Sequence, residues 1–250
     1  MDWGRPFTSA IDAAANLWRG SGWQSWLKRI VATILILLVP APILLLLIFR
    51  FLPVPATPQM VFTLLSGDPV HYQWREAWAI SPALGKAVIG AEDQNFCRHH
   101  GFDWKSIDQA IKAHEHHPRK RLRGASTISQ QSARSLFLVP MRSWVRKGLE
   151  AYLTVLMEFL WPKQRILTAY LNLVDWGHGN FGAEAAARSY FGKSASALTR
   201  SESARLAAIL PNPNDWHAVH PGPYVMRRTR LLASRTHEVT RDDLDICIHP

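Results

Sequence analysis

The sequence of 250 residues predicts a mainly α-helical domain preceded by a single N-terminal transmembrane helix. Three observations carry that expectation. Residues 30–49 contain no charged side chain and are nearly all aliphatic, which is the length an α-helix needs to cross a hydrocarbon core. Beyond residue 80, apolar side chains recur at helical spacing behind Ser, Thr and Pro start signals. Strand signals are confined to residues 61–65 and 71–77.

Composition narrows the class. Hydrophobic residues make up 48% of the chain and aromatics 10%, which excludes intrinsic disorder. The only cysteines, Cys97 and Cys247, allow one bridge at most and exclude a disulfide scaffold. Whether they pair is left open by the sequence.

Five stretches follow in order. Residues 1–29 read as a cytoplasmic tail and 30–50 as the anchor. Lys28 and Arg29 precede the apolar run, with Arg5 and Arg19 upstream, whereas after Arg50 no basic residue occurs until Arg75. The positive-inside rule therefore places the N-terminus in the cytoplasm and residues 51–250 outside it. A cleavable signal peptide fits less well, because the run is long, starts late and lacks a small-residue cleavage site before Pro53. Pro40 and Pro42 predict a kink in the span. Residues 51–60 (FLPVPATPQM) read as a stiff, extended proline-rich stalk. Residues 61–236 form the domain, and 237–250 a C-terminal tail without periodicity.

Within the domain, Ser81-Pro82 opens a helix through residue 89 as N-cap and first-position proline. Ser126 or Thr127 caps a helix through 136. Ser143 starts the strongest one, with Val145, Leu149, Tyr152, Leu153, Leu156, Met157 and Leu160 on one face. Pro162 ends it, and a short helix follows to about 171. Thr199 with Glu202 is a capping box before an alanine-rich helix that ends at Pro211. That box accounts for Glu202, and Tyr190 and Phe191 read as core.

The charge is unevenly placed. The chain carries 29 Lys+Arg against 19 Asp+Glu, a net +10. Between residues 112 and 147, nine basic residues (Lys112, Arg119, Lys120, Arg121, Arg123, Arg134, Arg142, Arg146 and Lys147) face one acid, Glu115. Such a segment suits nucleic acid in the cytoplasm. Outside it, phosphate on a lipid headgroup or a lipid-linked substrate is the better match, so no nucleic-acid partner is expected.

Three constellations could carry chemistry. In residues 92–103 (EDQNFCRHHGFD), Glu92 and Asp93 end an apolar helix ahead of Phe96, His99 and Gly101. A partly desolvated glutamate there acquires a raised pKa suited to a general base, although caps and ion pairs use the same residues. In 123–131 (RGASTISQQ), a glycine, hydroxyls and a helix N-terminus offer donors to an anion. In 146–150 (RKGLE), Arg146 and Lys147 share a helix face with Glu150. Base before acid is the less stabilising order for a helix pair, and two cations around one carboxylate suit a pyrophosphate, with or without a metal.

These residues together resemble the peptidoglycan glycosyltransferases, the transglycosylases that polymerise lipid II, in their monofunctional biosynthetic form. The resemblance covers roughly residues 70–235 in five ordered segments: 92–103, 123–138, 146–150, 163–193 and 198–214. It implies a lysozyme-like helical glycosyltransferase domain. It implies Glu92 as the base that deprotonates the acceptor 4-hydroxyl, and Glu150 as a second glutamate that positions the pyrophosphate or a divalent metal, Mg or Mn. It implies that Arg146 and Lys147 bind the pyrophosphate, that Ser126, Thr127, Gln130, Gln131 and Arg134 line the substrate, and that Asp93, Phe96, His99 and Gly101 of the first segment contribute to the same site. The implied partners are lipid II, the lipid-linked glycan chain, the inner membrane and other cell-wall synthesis proteins.

The sequence departs from the family pattern in places. Arg134-Ser135 stands where Lys-Asn is usual, His100 where an aromatic is common, and Thr168 where glutamate is frequent. Arginine keeps the charge but not lysine's compact geometry. Two rivals remain at this level: a lytic enzyme built on the same helical plan with one catalytic glutamate, and an inactive precursor-binding scaffold. A second, penicillin-binding domain is not expected, since Ser25-Trp26-Leu27-Lys28 falls in the cytoplasmic tail and no K-T-G follows. The cluster His114, Glu115, His116 and His117 is not expected to hold zinc.

Overall fold

The computed structural model describes residues 22–116, 126–141 and 143–248. It divides into two units, Met1–Ile48 and Phe49–Pro250.

In the first unit the apolar run is helical over α1 (Trp23–Leu38) and again over α2 (Pro40–Phe49), parting at Val39. Pro40 has no N–H to donate to the preceding turn, so the break falls where the prolines predict a kink. Counted as one span, Trp23–Phe49 is 27 residues, about 40 Å of helix at 1.5 Å per residue. That is long and apolar enough to cross a membrane, and Leu35, Ile36, Leu37 and Leu44 are exposed along it.

In the second unit, the last three residues of the expected stalk and the strand at 61–65 form helix α3 (Pro58–Leu65), while residues 53–57 are neither helix nor strand. The Thr57 hydroxyl accepts from the Met60 amide at 3.3 Å and Pro58 takes the first helical position. This cap outweighs the strand preference of Val61, Phe62 and Thr63. Only His71–Tyr72 (β1) of the second strand candidate forms, paired in parallel with Asn180–Phe181 (β2).

Seven further helices build the domain: α4 (Pro82–Glu92), α5 (Trp104–His116), α6 (Ile128–Phe137), α7 (Trp144–Leu160), α8 (Lys163–Leu173), α9 (Ala183–Phe191) and α10 (Arg200–Ile209), followed by the long α11 (Pro223–Arg241). The mainly α expectation holds. Helices α4, α10 and α11 pack on one another, and α6 packs against both α7 and α8. Small residues permit the first cluster: Ala204, Ala207 and Ala208 of α10 are buried, and a side chain at Gly90 of α4 would lie 3.4 Å from Arg235 Cβ of α11. Trp176, Tyr170, Phe96 and Phe181 are the largest fully buried side chains of the described residues, and Ile128 is buried with them.

Most predicted helix starts are realised. Thr127 and Gln130 form a complete capping box on α6, the Ser143 hydroxyl accepts from the Arg146 amide at the start of α7, and Thr199 with Glu202 caps α10 in both directions. Ser81 is an exception: its hydroxyl donates to Leu198 O at 2.9 Å instead of capping α4. The segment expected as a tail, 237–250, departs further. Helix α11 runs through it to Arg241, Leu244 and Asp245 are buried, Asp245 pairs with Lys86 at 3.1 Å, and Cys247 is bonded to Cys97. These are long-range contacts that local periodicity does not report. Tyr190 and Phe191 are half-buried rather than fully in the core.

Glu202 makes a stability prediction. Burial opposes its ionisation, but Lys193 and the Thr199 amide and hydroxyl outweigh that and pull it down to about 2. A depressed carboxyl stabilises the fold above its unfolded value, about 4.3, and that contribution is lost as pH falls toward 2. Glu202→Gln is therefore expected to flatten the acid limb of a Tm-against-pH curve between about pH 5 and pH 2; an unchanged limb would refute the assignment.

Candidate active site

Glu92 is the last residue of α4, where the apolar turns Leu84–Gly90 hold the helix in the core and release its end into a cavity of about 860 Å³. The Gln131 amide on α6 donates to Glu92 Oε2 at 3.0 Å, and Arg228 of α11 stands 3.9 Å from Oε1. Burial raises the Glu92 pKa, with Gln131, Arg228 and Arg134 acting in the opposite direction. The Tyr170 hydroxyl on α8 reaches Gln131 Oε1 at 3.4 Å. It fixes the amide so that nitrogen, not oxygen, faces the carboxylate. Tyr170 itself is fully buried, and burial raises its phenol well above the ordinary value.

A second carboxylate on the cavity wall is biased the other way. Asp103 accepts from the Ser106 amide and hydroxyl at 3.0 and 2.6 Å and from Asn95 at 2.8 Å. Burial opposes its ionisation, but these bonds prevail and hold its pKa below the usual carboxylate value. These bonds make Asp103 the cap of α5, which starts at Trp104.

The remaining predicted residues fall into three groups, the third being Glu150 with Arg146 and Lys147. Asp93, Ser126, Thr127, Gln131 and Arg134 border the same cavity as Glu92. Phe96, His99, Gly101 and Gln130 lie behind that wall and hold its parts together. Asp93 is buried, accepting from the Ile128 amide at the start of α6 at 2.9 Å and from His99 Nε2 at 2.9 and 3.0 Å. A carboxylate at a helix N-terminus is favoured by the local dipole, so Asp93 docks α6 beside Glu92. Gly101 has φ 89°, and a Cβ there would lie 2.9 Å from Thr154 Cγ2 of α7; its carbonyl accepts from the Thr127 hydroxyl at 2.6 Å. Phe96 is fully buried with the Lys163 ammonium 4.5 Å from its ring centre, and Lys163 in turn pairs with Glu158 at 2.6 Å.

Glu150 is buried on α7 and sits outside this cavity wall. Arg146 Nη1 binds its Oε2 at 2.9 Å and Lys147 binds its Oε1. The buried Arg146 Nε has no acceptor among the described residues. Both Glu150 oxygens are occupied by cations, and among the described residues no three His, Cys, Asp or Glu come together, so Glu150 is the one carboxylate here that could hold Mg or Mn, with water and substrate phosphate supplying the other oxygen ligands. His117, Arg119, Lys120, Arg121, Arg123 and Arg142 of the basic segment lie outside the described residues. Among the departures, His100 is exposed and the Thr168 hydroxyl is satisfied by Gln164 O at 2.8 Å.

Sequence reasoning missed Arg228, Arg235 and Tyr170. The two arginines reach the cavity from α11, but in a helix that also carries Arg227, Arg230 and Arg241 nothing local singles them out. Tyr170 sits in the apolar run of α8 and reads as core.

The model of the Transglycosylase family matches residues 59–237. The biosynthetic peptidoglycan transglycosylase of Caulobacter vibrioides is 46% identical over 222 residues, covering 89% of this chain and 96% of that protein. Proteins of the same name from Pectobacterium atrosepticum and Rhodospirillum centenum are 46% and 47% identical, covering 90% and 80% of this chain and 94% and 86% of their own lengths. With the cavity glutamate on a helical scaffold and likeness over most of its length, the chain belongs to the peptidoglycan transglycosylase family and is a glycosyltransferase.

Proposed function

We propose that this enzyme polymerises lipid II into β-1,4-linked glycan with inversion at the anomeric carbon, releasing undecaprenyl pyrophosphate. The observation that carries the reading is Glu92: a carboxylate of raised pKa at the mouth of a cavity, which is what a general base working near neutral pH requires. Glu92 takes the proton of the acceptor 4-hydroxyl as that oxygen attacks the anomeric carbon of the lipid-linked glycan. The bond from that carbon to the phosphate oxygen breaks, and its electron pair leaves with the pyrophosphate.

Cations stabilise the charge that develops on such a leaving group. Arg134 borders the cavity, and Arg146 and Lys147 form a second cationic locus around Glu150. The apolar span anchors the enzyme in the inner membrane with the N-terminus in the cytoplasm, as the charge asymmetry around it favours. The domain then meets its lipid-linked substrate on the outer face, where other cell-wall synthesis proteins are its expected partners.

Radiolabelled lipid II incubated with the purified full-length chain tests this reading. Growth of glycan chains is the expected result. Cleavage of finished glycan with no growth would assign a lytic enzyme instead, and binding without either reaction would assign a scaffold.

A further inference from the structure

Arg228 is held in an unusual way for an arginine beside a carboxylate. Its Nε donates to Ala208 O at 3.1 Å, a carbonyl in the last turn of α10, where helix carbonyls lack amide partners. That bond tethers the guanidinium through a nitrogen other than the one nearest Glu92. Its Nη2 then stops 3.9 Å from Glu92 Oε1, about 1 Å beyond the contact that Arg146 makes with Glu150 at 2.9 Å. Glu92 and Glu150 are therefore treated differently. Both oxygens of Glu150 are occupied by cations, whereas Glu92 has one oxygen, Oε2, bound by a neutral amide at 3.0 Å. Its Oε1 accepts no hydrogen bond from a described residue and faces a tethered positive charge.

Resting on the assignment of Glu92 as the base, we propose that Arg228 is a positioning residue for it, keeping the carboxylate charged through space while leaving Oε1 open to the incoming hydroxyl. A bidentate arginine would occupy both oxygens and weaken the base. A cation several ångströms further away would be screened by solvent in the cavity. A tethered guanidinium at this distance avoids both outcomes.

The other charged and titratable groups around Glu92 do not duplicate this arrangement. Arg134 on α6 and Arg235 on α11 border the cavity, and Arg134 adds a smaller effect of the same sign. Asp93, the next residue, acts in the opposite direction. Burial keeps Tyr170 on α8 neutral, and Asp103 borders the cavity within its own hydrogen bonds. Among the described residues, Arg228 is the cation that approaches Glu92 within 4 Å.

The test is the pH profile of kcat/KM for lipid II polymerisation in full-length Arg228→Gln and Arg228→Lys, with Arg228→Met as a second neutral variant that keeps the packed stem. An opposite charge at this range shifts a carboxyl by about one unit or more. The neutral variants are expected to move the acid limb upward by about one pH unit, losing roughly tenfold at low pH and recovering toward alkaline pH. Arg228→Lys is expected to restore much of the limb. A uniform loss at every pH with an unmoved limb would overturn the proposal, since a merely structural or substrate-binding arginine behaves that way. If Glu92→Gln stays active, the base assignment fails; if Glu92→Gln is inactive while the Arg228 profiles do not shift, only the role of Arg228 fails. Thermal transitions of all variants show whether they fold, and the profile of whichever neutral variant folds decides.

Discussion

Glu92→Gln is expected to abolish glycan polymerisation while leaving the protein folded. The substitution keeps the shape of the side chain and its acceptor for Gln131, but removes the basicity. A positioned general base contributes on the order of 10²- to 10⁴-fold, and an amide cannot substitute for it. The stability effect runs the other way. Burial raises the Glu92 pKa, so the folded state binds that proton more readily than the unfolded chain. Stability linked to this group is present at low pH and lost as pH rises through the folded value. At neutral pH the ionised Glu92 is therefore a cost that the amide lacks, and Tm should be unchanged or slightly higher. Radiolabelled polymer yield and a thermal melt on one preparation measure both. Wild-type turnover in the variant would remove Glu92 from the base role.

The second large effect concerns Cys97 and Cys247. Their bond joins residues 150 positions apart. In the chain-entropy description a loop that long limits the unfolded ensemble by roughly 5 kcal/mol. For a domain of this size that corresponds to a fall in Tm of roughly 10–20 °C when the bond is lost. Cys97→Ser, Cys247→Ser and reduced wild-type protein should melt together at the lower temperature, and reductant should not move the variants further. Equal melting of oxidised wild type and both variants would show that the bond adds no stability. The Lys86–Asp245 pair at 3.1 Å and the buried Leu244 remain in every case, so the C-terminal segment stays attached when the sulfurs are separated.

Capping chemistry was the most legible layer of the fold, because it is local. Thr127, Ser143 and Thr199 announce α6, α7 and α10 within four residues of themselves, and all three side chains accept the expected amide. Helix α3 was misread by the same kind of evidence, since Val61, Phe62 and Thr63 suggest a strand while the deciding signal, Thr57-Pro58, lies just before them. The site was legible in its residue types but not in their directions. Glu92, Gln131 and Arg134 face the cavity, whereas Phe96, His99 and Gly101, from the same run of sequence as Glu92, brace its wall from behind. Arg228 and the cysteine pair depend on chain segments more than a hundred residues apart, and no periodicity encodes such meetings.

The Cys97–Cys247 bond also gives the chain a topology. Residues 97–247 become a closed covalent ring, and the polypeptide leading back to the apolar span leaves it as a single strand at Cys97. Glu150 and Arg228 belong to the ring, while Glu92 lies on the strand, five residues from the junction. Mechanical load applied from the membrane side can unravel the strand only as far as Cys97 and cannot open the circle. A single proteolytic cut inside the circle leaves one covalently connected molecule, with Glu92 still joined to Glu150 and Arg228.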